Sequence, residues 1–364
     1  MDQVRIGILG SQFISTIHAE SIRCHTQGGE LVAVASPTRE HVEAFARKFE
    51  IPHAYTDARA LFERKDIDLV IIGVPNDLHA EMVCAAAEAG KHVVIEKPLC
   101  LNLAEADRMI AACRAYRVKL MYAEELCFTP KYVRLKRLLD EGALGDLVMV
   151  KQSEQHDGPH APHFWDVTRS GGGVLMDMGC HAVEFFRWIV GRGVKIRSVY
   201  ADVKTVVHRD KTQGDDHSLL LLRFENGVRA LAEESWIKKG GMDDRAELLG
   251  TRGVAYANLL QGNAILTYSE SGYGYAVEKA GSTQGWTFAI YEEAWNYGFP
   301  QEMQHFIDCV RYDRPPAVTG EDGRAVLEVL FAAYASAAQG REIELPYSST
   351  DPRPIDPWLR SREG

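Results

Sequence analysis

The chain has 364 residues, 46% of them hydrophobic, and a formal net charge of −10. That length suits two domains better than one, and the acidic balance argues against nucleic acid or an anionic membrane as a main partner. No apolar run reaches the ~18–20 residues that span a bilayer, MDQVRIGILG enters a strand without a leader pattern, and the seven cysteines lack CxxC pairs, so a cytoplasmic protein with reduced thiols is expected.

Residues 4–9 read as a strand, and Gly10-Ser11-Gln12-Phe13-Ile14-Ser15 turns out of it into a helix. A glycine-rich turn of this kind cradles a dinucleotide pyrophosphate on main-chain N–H groups. Of the G-x-G-x-x-G pattern only Gly10 stands, with Gln12 and Ser15 in the other two places. Gln12 falls where a glycine normally lets the backbone approach the pyrophosphate closely.

Residues 31–35 form a second strand, and Ser36 follows it. An acid near this point would grip the ribose of NAD, whereas an arginine would suit the phosphate of NADP. Arg39 is the nearby arginine; it reads equally as a solvated residue of a helix over 39–49. Residues 68–74 (DLVIIGV) form a third strand. Asn76 or Asp77 is then placed to cap a helix running to Gly90, with Leu78, Met82, Val83, Ala86 and Ala89 on its buried side.

Residues 92–95 are a short, β-branched strand, with Glu96, Lys97 and Pro98 immediately past its end. In an open parallel sheet the ligand crevice lies beyond the carboxyl ends of the strands, so a lysine here reaches both cofactor and substrate; a plain surface lysine is the alternative. A helix over 103–116 and a strand over 119–123 continue the alternation. Such alternation means βαβ units and a mostly parallel sheet.

The pattern changes near Thr129. A helix over 130–139 leads into strand-like segments at 147–155, 194–207, 218–225, 228–236, 245–249 and 264–268, which suggest a largely antiparallel sheet. Two helices, about 301–312 and 320–338, close the chain. The expected division is a dinucleotide-binding domain over 1–125 and a substrate-binding and oligomerisation domain over 126–364.

Gly171-Gly172-Gly173 precedes a helix that carries Asp177 and His181 at i and i+4, a spacing that puts both on one face. A carboxylate beside an imidazole holds one tautomer and stabilises imidazolium, which suits a general base near neutral pH. An aspartate that caps the helix and a histidine in a half-buried corner would give the same pattern.

GxxGSQFI, VPNDLHAEMVCAAAEAGKHVVIEKP, LLDEGALGDL and GGGVLMDMGCHAVE occur here in the order and spacing of the Gfo/Idh/MocA oxidoreductases. The chain resembles a member of that family from Val4 to about Pro346. The resemblance implies an α/β fold: an N-terminal Rossmann domain and a C-terminal α/β domain with an open, mainly antiparallel mixed sheet. It also implies NAD(P)-dependent hydride transfer at a secondary hydroxyl of a sugar, glycoside or inositol, with NAD favoured slightly over NADP. The family's catalytic lysine, aspartate and histidine fall on Lys97, Asp177 and His181. Its cofactor contacts fall on Gly10, Phe13, Ile14, Ser36, Asn76, His79 and Glu96, and Gln12, Arg39 and Lys97 complete the candidate cofactor set. Cys127 stands where many relatives carry an arginine before Phe128.

In the implied reaction His181 takes the hydroxyl proton, Asp177 orients it, and Lys97 stabilises alkoxide character; a desolvated Lys97 could instead be the base. Some relatives use transient oxidation by bound NAD to cleave glycosides, and a sensor that has lost catalysis is a third reading. The partner is then a small carbohydrate or glycoside, and the open sheet face implied by the family favours a homo-oligomer.

One loop goes beyond the family pattern: His156, His160 and His163 fall within eight residues, followed by Trp165. The imidazoles could hydrogen-bond sugar hydroxyls while Trp165 stacks on a sugar face. They could also bind a metal together with Asp177 or His181, or serve the structure alone.

Overall fold

The computed structural model describes residues 2–260, 265–272, 282–289 and 293–362. It divides into two compact units, Met1–Phe128 with Gly298–Leu327, and Thr129–Tyr297 with Glu328–Gly364. The sequence places one cut near residue 125. The structure divides at Phe128/Thr129 and also returns 298–327 to the first unit.

The first unit is built on six strands: β1 (Val4–Leu9), β2 (Gly29–Ala35), β3 (His53–Tyr55), β4 (Leu69–Ile72), β5 (His92–Glu96) and β6 (Leu120–Ala123). They pair in parallel in the order β3-β2-β1-β4-β5-β6. Helices α1 (Phe13–His25), α2 (Arg39–Phe49), α3 (Ala58–Phe62), α4 (His79–Glu88) and α5 (Leu103–Ala115) connect them. This is the doubly wound Rossmann topology, in which the strand order reverses between β1 and β4 and opens a ligand crevice there. Central strands of a sheet covered on both faces read as unbroken apolar runs, and all four residues of β4 are buried. The helix Phe299–Arg311 contributes Met303, Phe306, Ile307 and Val310 to the same core as Val4, Ile6 and Ile8.

The helix expected after β4 begins differently. Asn76–Leu78 is a tight 3-10 turn, His79 starts α4, and neither segment has a side-chain cap. Leu78 is exposed rather than buried.

The second unit holds β7 (Leu147–Gln155), β8 (Ile196–Lys204), β9 (His217–Phe224), β10 (Arg229–Ser235), β11 (Asp243–Gly250) and β12 (Val254–Asn258), then the hairpin β13 (Ile265–Ser269) and β14 (Gly285–Ala289), and β15 (Ile343–Glu344). Ala264, expected to open β13, lies outside the described residues. Seven of these strands form one sheet, β12-β11-β7-β10-β9-β8-β15. Its pairs are antiparallel except for β7 with β10, so the sheet is mixed. The helix Gly179–Val190 covers one side with Phe185, Phe186 and Ile189, all buried. Tyr200, Leu219, Leu249, Val254 and Tyr256 alternate to the exposed side, the strand period that gives a half-buried sheet.

Candidate active site

In the first unit the candidate cofactor residues gather at the carboxyl ends of β1, β2, β4 and β5. Gly10 closes β1 with φ +117°, and a Cβ there would collide with the Gly73 carbonyl and lie 2.7 Å from Ser15 Oγ. Only glycine suits that position. Gln12 ends the turn without making a side-chain cap on α1, so the first N–H groups of the helix remain directed at an incoming anion. The Gln12 amide lies 3.1 Å from His41 Nδ1, which ties it to α2. Ser11 Oγ donates to Ser36 Oγ at 2.9 Å, linking the ends of β1 and β2. These features fit a dinucleotide although two of the three motif glycines are absent. Phe13 is exposed and Ile14 half-buried at the same turn. The Arg39 side chain is 74% exposed and makes a loose 3.5 Å pair with Glu43 one turn on, as a solvated helix residue does.

Asn76 is buried after β4. His79 is fully buried, with Nε2 2.8 Å from the Val74 carbonyl and Nδ1 3.0 Å from that of Pro98. Burial pushes this imidazole below its ordinary pKa, and the carbonyls around it pull the other way. His79 therefore clamps the chain after β4 to the chain after β5. Lys97 leaves β5 half-buried, directly after buried Glu96.

In the second unit Asp177 and His181 do not share one helix. A short helix, Val174–Asp177, ends at Met178, and a second begins at Gly179. Asp177 thus closes one helix while His181 sits in the first turn of the next, both buried. The i, i+4 spacing therefore spans a break at Met178 and not one continuous helix. Trp236 holds Asp177, its Nε1–H donating to Oδ2 at 3.2 Å. The triple glycine has a packing cause. Gly171 takes φ +86°, and a Cβ on Gly172 or Gly173 would collide with Tyr334 or with the backbone of Asp215. The Asp215 carboxylate accepts from Gly173 N (3.2 Å), Leu175 N (2.8 Å) and Tyr334 Oη (2.6 Å). Burial pushes its pKa from 3.8 up to about 6, against the pull of these donors.

The histidine loop is mostly turned inward. His156 is buried with its ring 4.6 Å from that of His160, and the His163 ring lies 4.4 Å from Phe164. Trp165 packs against Trp236 (5.3 Å) and His208 (5.0 Å), and Lys211 Nζ lies 5.3 Å over its ring. Its ring contacts are therefore intramolecular, and they buttress the tryptophan that holds Asp177. Among the described residues no three ligand atoms from His156, His160, His163, Asp177 and His181 converge within 4.8 Å. Sequence reasoning missed Trp236, Asp215 and Tyr334. No local motif marks them, since each acts on residues far away in the chain.

Residues 4–124 match the model of the oxidoreductase family with an NAD-binding Rossmann fold, and residues 132–256 match the GFO/IDH/MocA C-terminal domain. Myo-inositol 2-dehydrogenase of Thermotoga maritima is 30% identical over 94% of this chain and 98% of its own length. The chain belongs to the Gfo/Idh/MocA oxidoreductase family. The NAD(+)-dependent scyllo-inositol 2-dehydrogenase of Bacillus subtilis is 27% identical over 94% of this chain and 96% of its own. Among solved structures, GenD2 from gentamicin A biosynthesis in complex with NAD superposes with a TM-score of 0.89 at 29% identity, covering 95% of this chain and 97% of that one. The two sheets of this oxidoreductase are thus those its sequence implies.

Proposed function

We propose that this oxidoreductase moves a hydride between NAD and a secondary hydroxyl of an inositol, a sugar or a glycoside's sugar ring. The observation that carries the reading is the end of β5, where Glu96 and a half-buried Lys97 emerge at the crevice of a complete Rossmann sheet. The inositol dehydrogenases among the relatives point to a ring polyol, and the NAD bound to GenD2 points to that cofactor. NAD, when bound, accepts or returns the hydride. Gly10, Gln12, Phe13, Ile14 and Ser36 would hold its phosphate and ribose side, with Asn76, His79 and Glu96 shaping the strand ends nearby.

Lys97 hydrogen-bonds the substrate oxygen and stabilises negative charge as the C–H bond breaks. His181 takes the hydroxyl proton, with Asp177 fixing its orientation. The half-buried His160 and His163 are the loop's substrate contacts; His156 and Trp165 act by supporting them. A second copy of the chain would cover the apolar open face at Tyr200, Leu249 and Tyr256, and reduced thiols suit a cytoplasmic setting. None of the seven cysteines forms a disulfide, and no described helix is long and apolar enough to cross a membrane.

The test is NADH formation with a panel of inositols, pentoses, hexoses and methyl glycosides, alongside calorimetric titration with NAD+ and NADP+. NADH produced from one polyol class, with tighter NAD+ than NADP+ binding, is the expected result. Release of aglycone without net NADH would point to glycoside cleavage instead, and no binding of either nucleotide would overturn the reading.

A further inference from the structure

Behind Lys97 lies a buried polar pair. His18, midway along α1 and inaccessible to solvent, places Nε2 2.5 Å from Glu96 Oε1. The other carboxylate oxygen of Glu96 accepts the main-chain N–H of Lys97 at 3.1 Å. His18 Nδ1 is buried and meets no hydrogen-bond partner. A proton there would have no acceptor, so the tautomer that fits carries its proton on Nε2 and donates it to Glu96. The ring is held edge-on by Phe299, with centroids 6.1 Å apart. Glu302, also fully buried, belongs to the same surroundings. Its carboxyl group is held well above the usual carboxylate range, first by burial and then by Glu125, Glu96 and Glu124.

A buried histidine–carboxylate pair is a poor way to stabilise a core. Replacing such a pair by well-packed apolar side chains is often neutral or stabilising. The pair sits instead where aim counts, one residue before the lysine. A carboxylate gripped from both sides has a single rotamer, and it fixes the amide from which the Lys97 side chain departs. We propose that His18 is a positioning residue for hydride transfer, acting through Glu96 on Lys97 without touching substrate or cofactor. The inference rests on the reading that Lys97 stabilises the reacting oxygen.

The experiment uses the full chain with His18→Leu, His18→Gln, Lys97→Ala and the double variant His18→Leu/Lys97→Ala. Rates are measured on the polyol that wild type turns over best in the panel above. A misplacement of a reacting group by about 1 Å can cost on the order of 100-fold, so His18→Leu should lower kcat by roughly 10–100-fold. The KM and the NAD+ dissociation constant should change by no more than about twofold, since no uniform binding contact is removed. His18→Gln, whose amide N–H can replace Nε2–H, should recover most of the loss. In the Lys97→Ala background His18→Leu should cost nothing more.

A second readout does not need turnover. Lysines are reductively methylated with 13C, the Lys97 signal is assigned through Lys97→Arg, and its shift on adding NAD+ is followed. That shift should shrink in His18→Leu and return in His18→Gln. Should His18→Leu not fold, Glu96→Gln, which keeps the side chain's shape, should reproduce the kcat loss and the reduced shift. Unchanged kcat and an unchanged Lys97 signal in His18→Leu, or a loss that multiplies with that of Lys97→Ala, would overturn the proposal. Normal turnover in Lys97→Ala would instead refute the role given to the lysine, and the Lys97 signal alone would then decide whether His18 positions it.

Discussion

The end of β5 and the start of the helix at Val174 both carry candidate catalytic groups, and they are built in different ways. Lys97 is placed by a buried parallel strand and by the side-chain carboxylate of its neighbour Glu96, which accepts the Lys97 main-chain N–H. Asp177 is placed by residues far along the chain: Trp236 grips its carboxylate, and Asp215 and Tyr334 hold the glycine turn before it. A site at a strand end depends on the few groups that grip that end, here Glu96 and His18 behind it. A site set by distant side chains depends on each of them.

The sharpest way to break this comparison is to remove the reacting groups. Losing a positioned acid–base group typically costs about 10²–10⁴-fold in rate. Lys97→Ala and His181→Ala should each depress single-turnover rates on that scale, with the NAD+ dissociation constant little changed. Near-normal turnover in His181→Ala would leave Lys97 as the base.

Next in size is the glycine turn. Gly173→Ala forces a Cβ into the backbone of Asp215, whereas Gly193 has open space around it. Overpacking of this kind costs about 1–3 kcal/mol or more. Thermal unfolding should therefore show a clear drop in Tm for Gly173→Ala and almost none for Gly193→Ala. Equal Tm values would mean that the turn yields, contrary to its dependence on Asp215.

Removing the Trp236 donor leaves the Asp177 carboxylate buried and short of one hydrogen bond, a penalty of about 1–3 kcal/mol. Trp236→Phe should consequently lower kcat by roughly tenfold, with less loss than His181→Ala. Asp177→Asn should likewise cost less than His181→Ala, because it disturbs orientation without deleting the base.

Asp215 sharpens the comparison through pH. Its folded pKa, about 6, lies above the ordinary 3.8, so the folded state holds this proton more tightly than the unfolded chain. The stability it contributes is complete below pH ~4 and lost as pH rises through ~6. Asp215→Asn should start from a lower Tm, since it loses an acceptor, and show a flatter fall between those pH values. Parallel Tm–pH curves would place the proton elsewhere.

The smallest effect belongs to Arg39. Its exposed, loosely paired side chain leads us to expect less than about a twofold change in NAD+ affinity for Arg39→Ala, as for most exposed ion pairs. A large loss of NADP+ binding measured by calorimetry would show that it reaches a 2′-phosphate.

What could be read in the sequence follows the same divide. Five of the six Rossmann strands were legible because each is a short, continuous apolar run bounded by turn residues, and β5 with its EKP ending is the clearest case; β3 was not, since His53–Tyr55 is three residues long and mostly exposed. Gly10 was legible because the turn has a local pattern. The i, i+4 spacing of Asp177 and His181 suggested one continuous helix, since periodicity cannot register a one-residue break at Met178. The ring neighbours of Trp165 were not legible. Trp236 and His208, which pack against it, lie far along the chain, where spacing arguments do not reach.

The return of residues 298–327 to the first unit has a consequence for how the chain is made. Met303, Phe306, Ile307 and Val310 belong to the core around Val4, Ile6 and Ile8, so the first unit lacks part of its interior when Phe128 leaves the ribosome. At ~5–20 residues per second, the segment that begins at Gly298 emerges roughly ten to thirty seconds later. Throughout that interval the nascent Rossmann sheet presents an uncovered apolar face, and the Thr129–Tyr297 part of the second unit has to be synthesised before the first can be sealed.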